Sequence, residues 1–187
     1  MKKLVKIIAV TLFLGATVAP AMAEGFYGAL DVGQTTAADA CTGAPSVFGC
    51  EDTATLFRIA GGYQFAPMWG LEVSYGNYGK ASLISSLADW ELNGLQVSGT
   101  GTFPLGAGFS LIGKLGVAQT TIKLAATGFG STSATSTQMT YGIGAQYNFT
   151  ESVAVRAQYE DLGTVGDANT TGESKVTILS AGVVFKF

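Results

Sequence analysis

Apolar and polar residues alternate along most of this chain beyond residue 25, in eight separate runs. In the first, Phe26, Gly28, Leu30 and Val32 lie on one face, against Tyr27, Ala29 and Asp31. The second sets Phe57, Ile59, Gly61, Tyr63 and Phe65 against Arg58, Ala60, Gly62 and Gln64. Trp69, Leu71, Val73 and Tyr75 oppose Glu72, Ser74 and Gly76, and Leu95, Val97 and Phe103 oppose Gln96, Ser98, Thr100 and Thr102. The later runs set Phe109, Leu111, Leu115 and Val117 against Ser110, Lys114 and Gly116; Tyr141, Ile143, Ala145, Tyr147 and Phe149 against Thr140, Gly142, Gly144, Gln146 and Asn148. Val153, Val155, Ala157 and Tyr159 then oppose Arg156, Gln158 and Glu160, and Leu179, Ala181, Val183, Phe185 and Phe187 oppose Ser180, Gly182 and Lys186. Successive side chains of a β-strand point to opposite faces, so a period of two predicts strands.

The connections alternate as well. Ala66-Pro67-Met68, Pro104-Leu105-Gly106-Ala107 and Thr150-Glu151-Ser152 read as tight turns, whereas 35–54, 78–90, 119–137 and 161–174 are long and rich in Gly, Ser, Thr, Ala and Asp. Short turns at one end and long loops at the other are the arrangement of a membrane-spanning barrel. The chain is therefore expected to be all-β: an eight-stranded antiparallel up-and-down transmembrane β-barrel with short periplasmic turns and four long extracellular loops. A soluble barrel shows the same period with the apolar face inward, so the aromatics have to decide. Phe26, Phe65, Trp69, Phe103, Phe109, Phe149, Phe185 and Phe187 fall at the short-turn ends, and Phe57, Tyr75, Tyr141 and Tyr159 towards the long-loop ends. Two aromatic belts around an aliphatic band match the girdles that anchor a barrel at both membrane interfaces.

Composition and charge narrow this further. Residues 1–23 open with Met1-Lys2-Lys3-Leu4-Val5-Lys6, continue through a short apolar run and end in Ala21-Met22-Ala23, the three-part pattern of a cleaved secretory signal. Cleavage there leaves 24–187 as the barrel domain. The whole chain carries 10 Lys+Arg against 13 Asp+Glu, and three of the lysines lie in the signal, so 24–187 has seven cations, 13 anions and a net charge of −6. With no basic stripe, no nucleic-acid partner is expected.

Histidine is absent, which removes the usual general base of hydrolytic and acyl-transfer sites, and no enzyme, cofactor or metal site is expected. The charges on the polar faces balance, Asp31, Glu72 and Glu160 against Arg58, Lys114 and Arg156, and are read as an ionic network inside the barrel. Asp161, Asp167 and Glu173 are read as a solvated acidic loop, with a weak cation site as the alternative. Cys41 and Cys50 both fall in the first long loop, and oxidising export favours a disulfide between them.

The stretch from Gly61-Gly62-Tyr63-Gln64-Phe65-Ala66-Pro67-Met68-Trp69-Gly70-Leu71-Glu72-Val73-Ser74-Tyr75, with Gly113-Lys114-Leu115-Gly116 and Val155-Arg156-Ala157-Gln158-Tyr159-Glu160, resembles the OmpA-like transmembrane domain. That domain belongs to the small eight-stranded outer-membrane proteins and opacity-type surface antigens, and the resemblance covers essentially all of 24–187. It implies an interior ionic cluster in which Glu72, Lys114 and Arg156 match by position, while Gln146 and Thr100 stand where the family often has a further acid and base. The end of the chain, Ser180, Gly182, Phe185 and Phe187, looks like the signal by which the barrel assembly machinery recognises its substrates.

The expected function is non-enzymatic: a structural or surface-contact protein of a Gram-negative outer membrane, concerned with membrane integrity, adhesion or host-surface contact through its loops. Expected partners are outer-membrane lipids and lipopolysaccharide, the assembly machinery during biogenesis and a host or cell-surface ligand, with the chain a monomer. A narrow ion or small-solute channel is the alternative, and a soluble exported ligand-binding barrel a more distant one.

Overall fold

A computed structural model describes residues 25–38, 53–83, 88–126, 130–167 and 172–187. They form eight strands: β1 (Gly25–Ala37), β2 (Thr53–Ala66), β3 (Trp69–Leu83), β4 (Ala88–Gly106), β5 (Phe109–Ala126), β6 (Gly130–Asn148), β7 (Val153–Asp167) and β8 (Gly172–Lys186). Each pairs antiparallel with the next, and β1 pairs with β8 to close the barrel. In the membrane-spanning part closure pairs every strand on both sides, which is what lets a sheet cross a bilayer. Both ends of the described barrel lie with the tight turns, where the Phe187 amide donates to the Phe26 carbonyl. In the β4–β5 turn, Ala107 and Gly108 both take positive φ, as a type I′ hairpin turn requires.

The apolar face of every run points outward. Phe57, Leu71, Leu115, Ile143 and Leu179 are all more than half exposed, and Ile143 reaches 71%. In water such a surface would be a large apolar patch, whereas hydrocarbon covers it at no cost. The soluble barrel, with its aliphatics inside, is thereby ruled out. At the tight-turn end Phe26 stacks on Tyr63 with ring centres 4.7 Å apart, and Tyr147 lies between Phe109 and Phe149 at 4.6 and 4.9 Å.

The expectation of four long loops needs correction. The first connection, 38–52, is long, but the stretches 78–90, 119–137 and 161–174 are mostly continued strand. Residues 84–87, 127–129 and 168–171 separate the strands there. The strands run 13 to 19 residues, more than the roughly 9–11 that cross a bilayer. The hydrophobic alternation lapses at the membrane's outer surface, but pairing within the hairpins β1–β2, β3–β4, β5–β6 and β7–β8 does not, whereas the β2–β3 and β6–β7 seams end at Phe57–Asn77 and Tyr141–Asp161.

Beyond the Tyr75–Tyr141–Tyr159 belt the two faces exchange character. Outward positions become polar, with Thr53, Thr55, Gln119, Thr135 and Thr137 exposed. Many inward positions become apolar, with Leu56, Tyr78, Leu92, Leu162, Val176 and Ile178 buried in one cluster, while Thr35 on β1, Thr120 on β5 and Gln138 on β6 keep polar groups beside it. Within the membrane the barrel is apolar outside and polar inside; above it the same wall is built like a soluble barrel. Each half answers the solvent it stands in.

Candidate functional site

Period two sends Asp31 on β1, Arg58 on β2, Glu72 on β3, Lys114 on β5, and Arg156 and Glu160 on β7 into the lumen, where all six are buried. The structure joins them into a closed cycle of alternating sign. Asp31 meets Arg58 at 3.1 Å, Arg58 meets Glu160 at 2.6 Å, and Glu160 meets Lys114 at 3.6 Å. Lys114 continues to Glu72 at 2.7 Å, Glu72 to Arg156 at 2.6 Å, and Arg156 returns to Asp31 at 2.8 Å. An isolated buried charge would be costly, but a ring of three anions and three cations gives each charge two partners.

Three glycines make this geometry possible, and each occupies the middle strand of a triplet. Gly182 on β8 pairs with Asp31 on one side and Arg156 on the other. With no side chain between them, Arg156 donates from Nε and Nη2 to the two Asp31 carboxylate oxygens, at 2.9 and 2.8 Å. Gly142 on β6 lies in register between Lys114 and Glu160. Gly62 on β2 lies between Tyr27 and Glu72, and Tyr27 donates its hydroxyl to Glu72 Oε2 at 3.0 Å. A Cβ at these glycines would overlap, respectively, the Asp31 carboxylate, the Glu160 stem and the Tyr27 ring. Side chains two strands apart can pair because the strand between presents only backbone.

Neutral groups complete the ring. Arg58 Nη2 donates to Gln158 Oε1 at 3.0 Å and to Ser180 Oγ at 3.4 Å. Gln96 Nε2 contacts Thr140 Oγ1 at 3.1 Å and Glu160 Oε2 at 3.2 Å. Above the ring stands an apolar layer of Leu56, Tyr78, Leu92, Leu162 and Ile178. Beneath it Ala29, Ala60, Ala154 and Val184 fill one side. The other side holds a cavity of about 410 Å³, whose lining includes Glu72, Lys114 and Arg156 of the ring and Phe187 at the tight-turn end.

Ser180 and Gly182, read from the sequence as part of a terminal recognition signal, face the lumen and serve the ring. Phe185 and Phe187 face outward and are exposed. Asp161 belongs to no loop: it sits on β7, accepts from the Tyr141 hydroxyl at 2.8 Å and the Gly163 amide at 2.8 Å, and pairs with Lys175 at 3.0 Å. Cys41, Cys50 and the signal segment 1–23 lie outside the described residues.

The six charges were legible from alternation. The apolar layer and the glycine triplets were not singled out, although both leave a trace in the sequence. Leu56, Leu92 and Ile178 occur on the polar face at the far ends of their runs, and Gly62, Gly142 and Gly182 recur on that face opposite charges.

Comparison with known proteins agrees with this architecture. The chain is similar in structure to the neisserial surface protein NspA, at 24% identity and a TM-score of 0.65, covering 87% of this chain and 97% of that one. It is also similar to Ail, the attachment invasion locus protein of Yersinia pestis, solved with the heparin analogue sucrose octasulfate. There the identity is 21% and the TM-score 0.61, over 89% and 100% of the two chains. The N-terminal barrel of Pseudomonas aeruginosa OprF aligns at 17% identity with a TM-score of 0.60, covering 88% and 98%. No curated protein matches. Residues 7–187 match the model of the outer membrane protein beta-barrel domain, and with a closed eight-stranded wall, apolar outside and charged within, the chain belongs to that family of outer-membrane barrels.

Proposed function

We propose that the protein is a sealed, non-enzymatic barrel whose working surface is the part that stands above the outer membrane. The sealed lumen carries this reading. An ion crossing it would have to break a ring in which every charge is matched and then traverse a layer of Leu, Ile and Tyr side chains. Eight strands enclose only enough room for side chains, and here the side chains occupy the centre.

A contact role is supported by the continued wall. The hairpins β1–β2, β3–β4, β5–β6 and β7–β8 keep their pairing beyond the bilayer and present a polar outer face there. Ail, whose own name records attachment and invasion, has the same fold, which supports surface contact for this chain. In this reading outer-membrane lipid and lipopolysaccharide surround the apolar band, and the assembly machinery reads the outward Phe185 and Phe187. Deleting Phe187 is expected to lower the fraction of protein with heat-modifiable migration, and an unchanged fraction would remove that role.

Planar-bilayer recording of the purified protein tests the sealed lumen. The expected trace stays at background across the voltage range. Steady, protein-dependent unitary currents would replace this reading with the narrow channel.

A further inference from the structure

The cavity on the periplasmic side has a charge that the ring does not account for. Lys186 lies on the lumen face of β8, between the outward Phe185 and Phe187, and lines the cavity at its open end. Its ammonium is half-buried and donates to Asn148 Oδ1 at 2.6 Å, yet no carboxylate of the described residues lies within ion-pair distance of it. Each of the six charges of the ring, by contrast, is paired with the opposite sign. Glu72, Lys114 and Arg156 at the inner end of the cavity are matched within the ring and have no net charge to offer. Glu151 belongs to the lining but pairs with none of these cations.

The surroundings of Lys186 are polar and ordered. Gln146 Nε2 donates to the same Asn148 oxygen at 2.9 Å, and Asn148 Nδ2 donates to the Gly108 carbonyl at 3.1 Å, so the acceptor that fixes Lys186 is itself held from two sides. An ammonium has three donors, and Asn148 takes one. Thr100 and Ser110 add hydroxyls to the walls. A cavity of about 410 Å³ is within the size range of small-molecule sites.

We propose that this cavity is an anion site open to the periplasm, with Lys186 as its charged anchor and a phosphate group as the ligand chemistry. Asn148 positions the ammonium, and the hydroxyl and amide groups of the wall take the remaining phosphate oxygens. A free phosphate compound and the headgroup of an inner-leaflet phospholipid both present this group at the cavity mouth.

Nuclear magnetic resonance of the folded protein separates the outcomes, read on the side-chain amide signals of Gln146 and Asn148. One titration adds inorganic phosphate in zwitterionic micelles; a second adds phosphatidylglycerol to nanodiscs of phosphatidylcholine. Saturable shifts with inorganic phosphate assign the site to a free anion, and saturable shifts with phosphatidylglycerol alone assign it to the headgroup. In Lys186→Gln the affinity is expected to fall about tenfold or more, the loss of one charge-assisted hydrogen bond, while Lys186→Arg retains it. Heat-modifiable migration checks that both variants fold. No saturable shift with either probe, or equal affinity in Lys186→Gln, would overturn the proposal, whatever the conductance of the lumen.

Discussion

A methyl group at position 182 would occupy the space in which the Asp31 carboxylate receives Arg156. Gly61 and Gly113, by contrast, lie on the outer wall with nothing near the position of a Cβ. The same substitution at the two kinds of site therefore separates close packing from any general effect of removing glycine from a strand. Gly182→Ala is expected to lower stability by about 1–3 kcal/mol, the usual cost of forcing extra volume into a filled interior. Gly61→Ala and Gly113→Ala are expected to be neutral or slightly stabilising, since alanine restricts the unfolded chain. Urea unfolding midpoints of the protein in lipid vesicles give the comparison, and equal losses at all three positions would contradict the triplet geometry. The six ring charges themselves were readable from their places on the polar face. Their connectivity was not, because it depends on register across three strands, and register is fixed by the whole set of paired backbones.

At the scale of the strand, the instructive feature is the exchange of faces above the outer belt. Along β2, Arg58 faces the lumen within the membrane, and two residues earlier Leu56 faces the same lumen in the apolar layer. Between them the outward face passes from Phe57 to Thr55. A search for one apolar face stops at this exchange, which is why the Ser/Thr-rich stretches 119–137 and 161–174 read as loops. In the structure Thr121 and Thr135 pair side chain to side chain across β5 and β6 at 3.1 Å, and Thr120 meets Ser136 at 3.2 Å. Threonine favours strands through its branched Cβ, whatever its polarity. Leu56 is fully buried in the layer above the ring, so Leu56→Ala is expected to cost about 2–5 kcal/mol by leaving a cavity. Thr55→Ala, its outward neighbour, is expected to change stability by less than about 0.5 kcal/mol. The same vesicle unfolding assay reads both, and a cost at Leu56 no greater than at Thr55 would mean that the upper lumen is wet.

For the molecule as a whole, the strand count, antiparallel order, outward aliphatics and two aromatic belts were all legible in the sequence, because the bilayer imposes them residue by residue. The height of the wall was not, since it is set by pairing energy where the surrounding medium no longer selects one face. The account joins a lipid-facing band, a closed ionic ring and a protruding collar with its own apolar interior, and β6 passes through all three levels. A nitroxide scan of its outward positions Ser133, Thr135, Thr137, Met139, Tyr141, Ile143 and Ala145, with the protein in lipid bilayers, tests this most directly. Labels at 133, 135 and 137 are expected to be accessible to a water-soluble relaxation reagent, and labels at 143 and 145 to oxygen dissolved in the hydrocarbon, with the change near Tyr141. Water accessibility along the whole strand, or lipid accessibility continuing to Ser133, would contradict the placement of the barrel in its membrane.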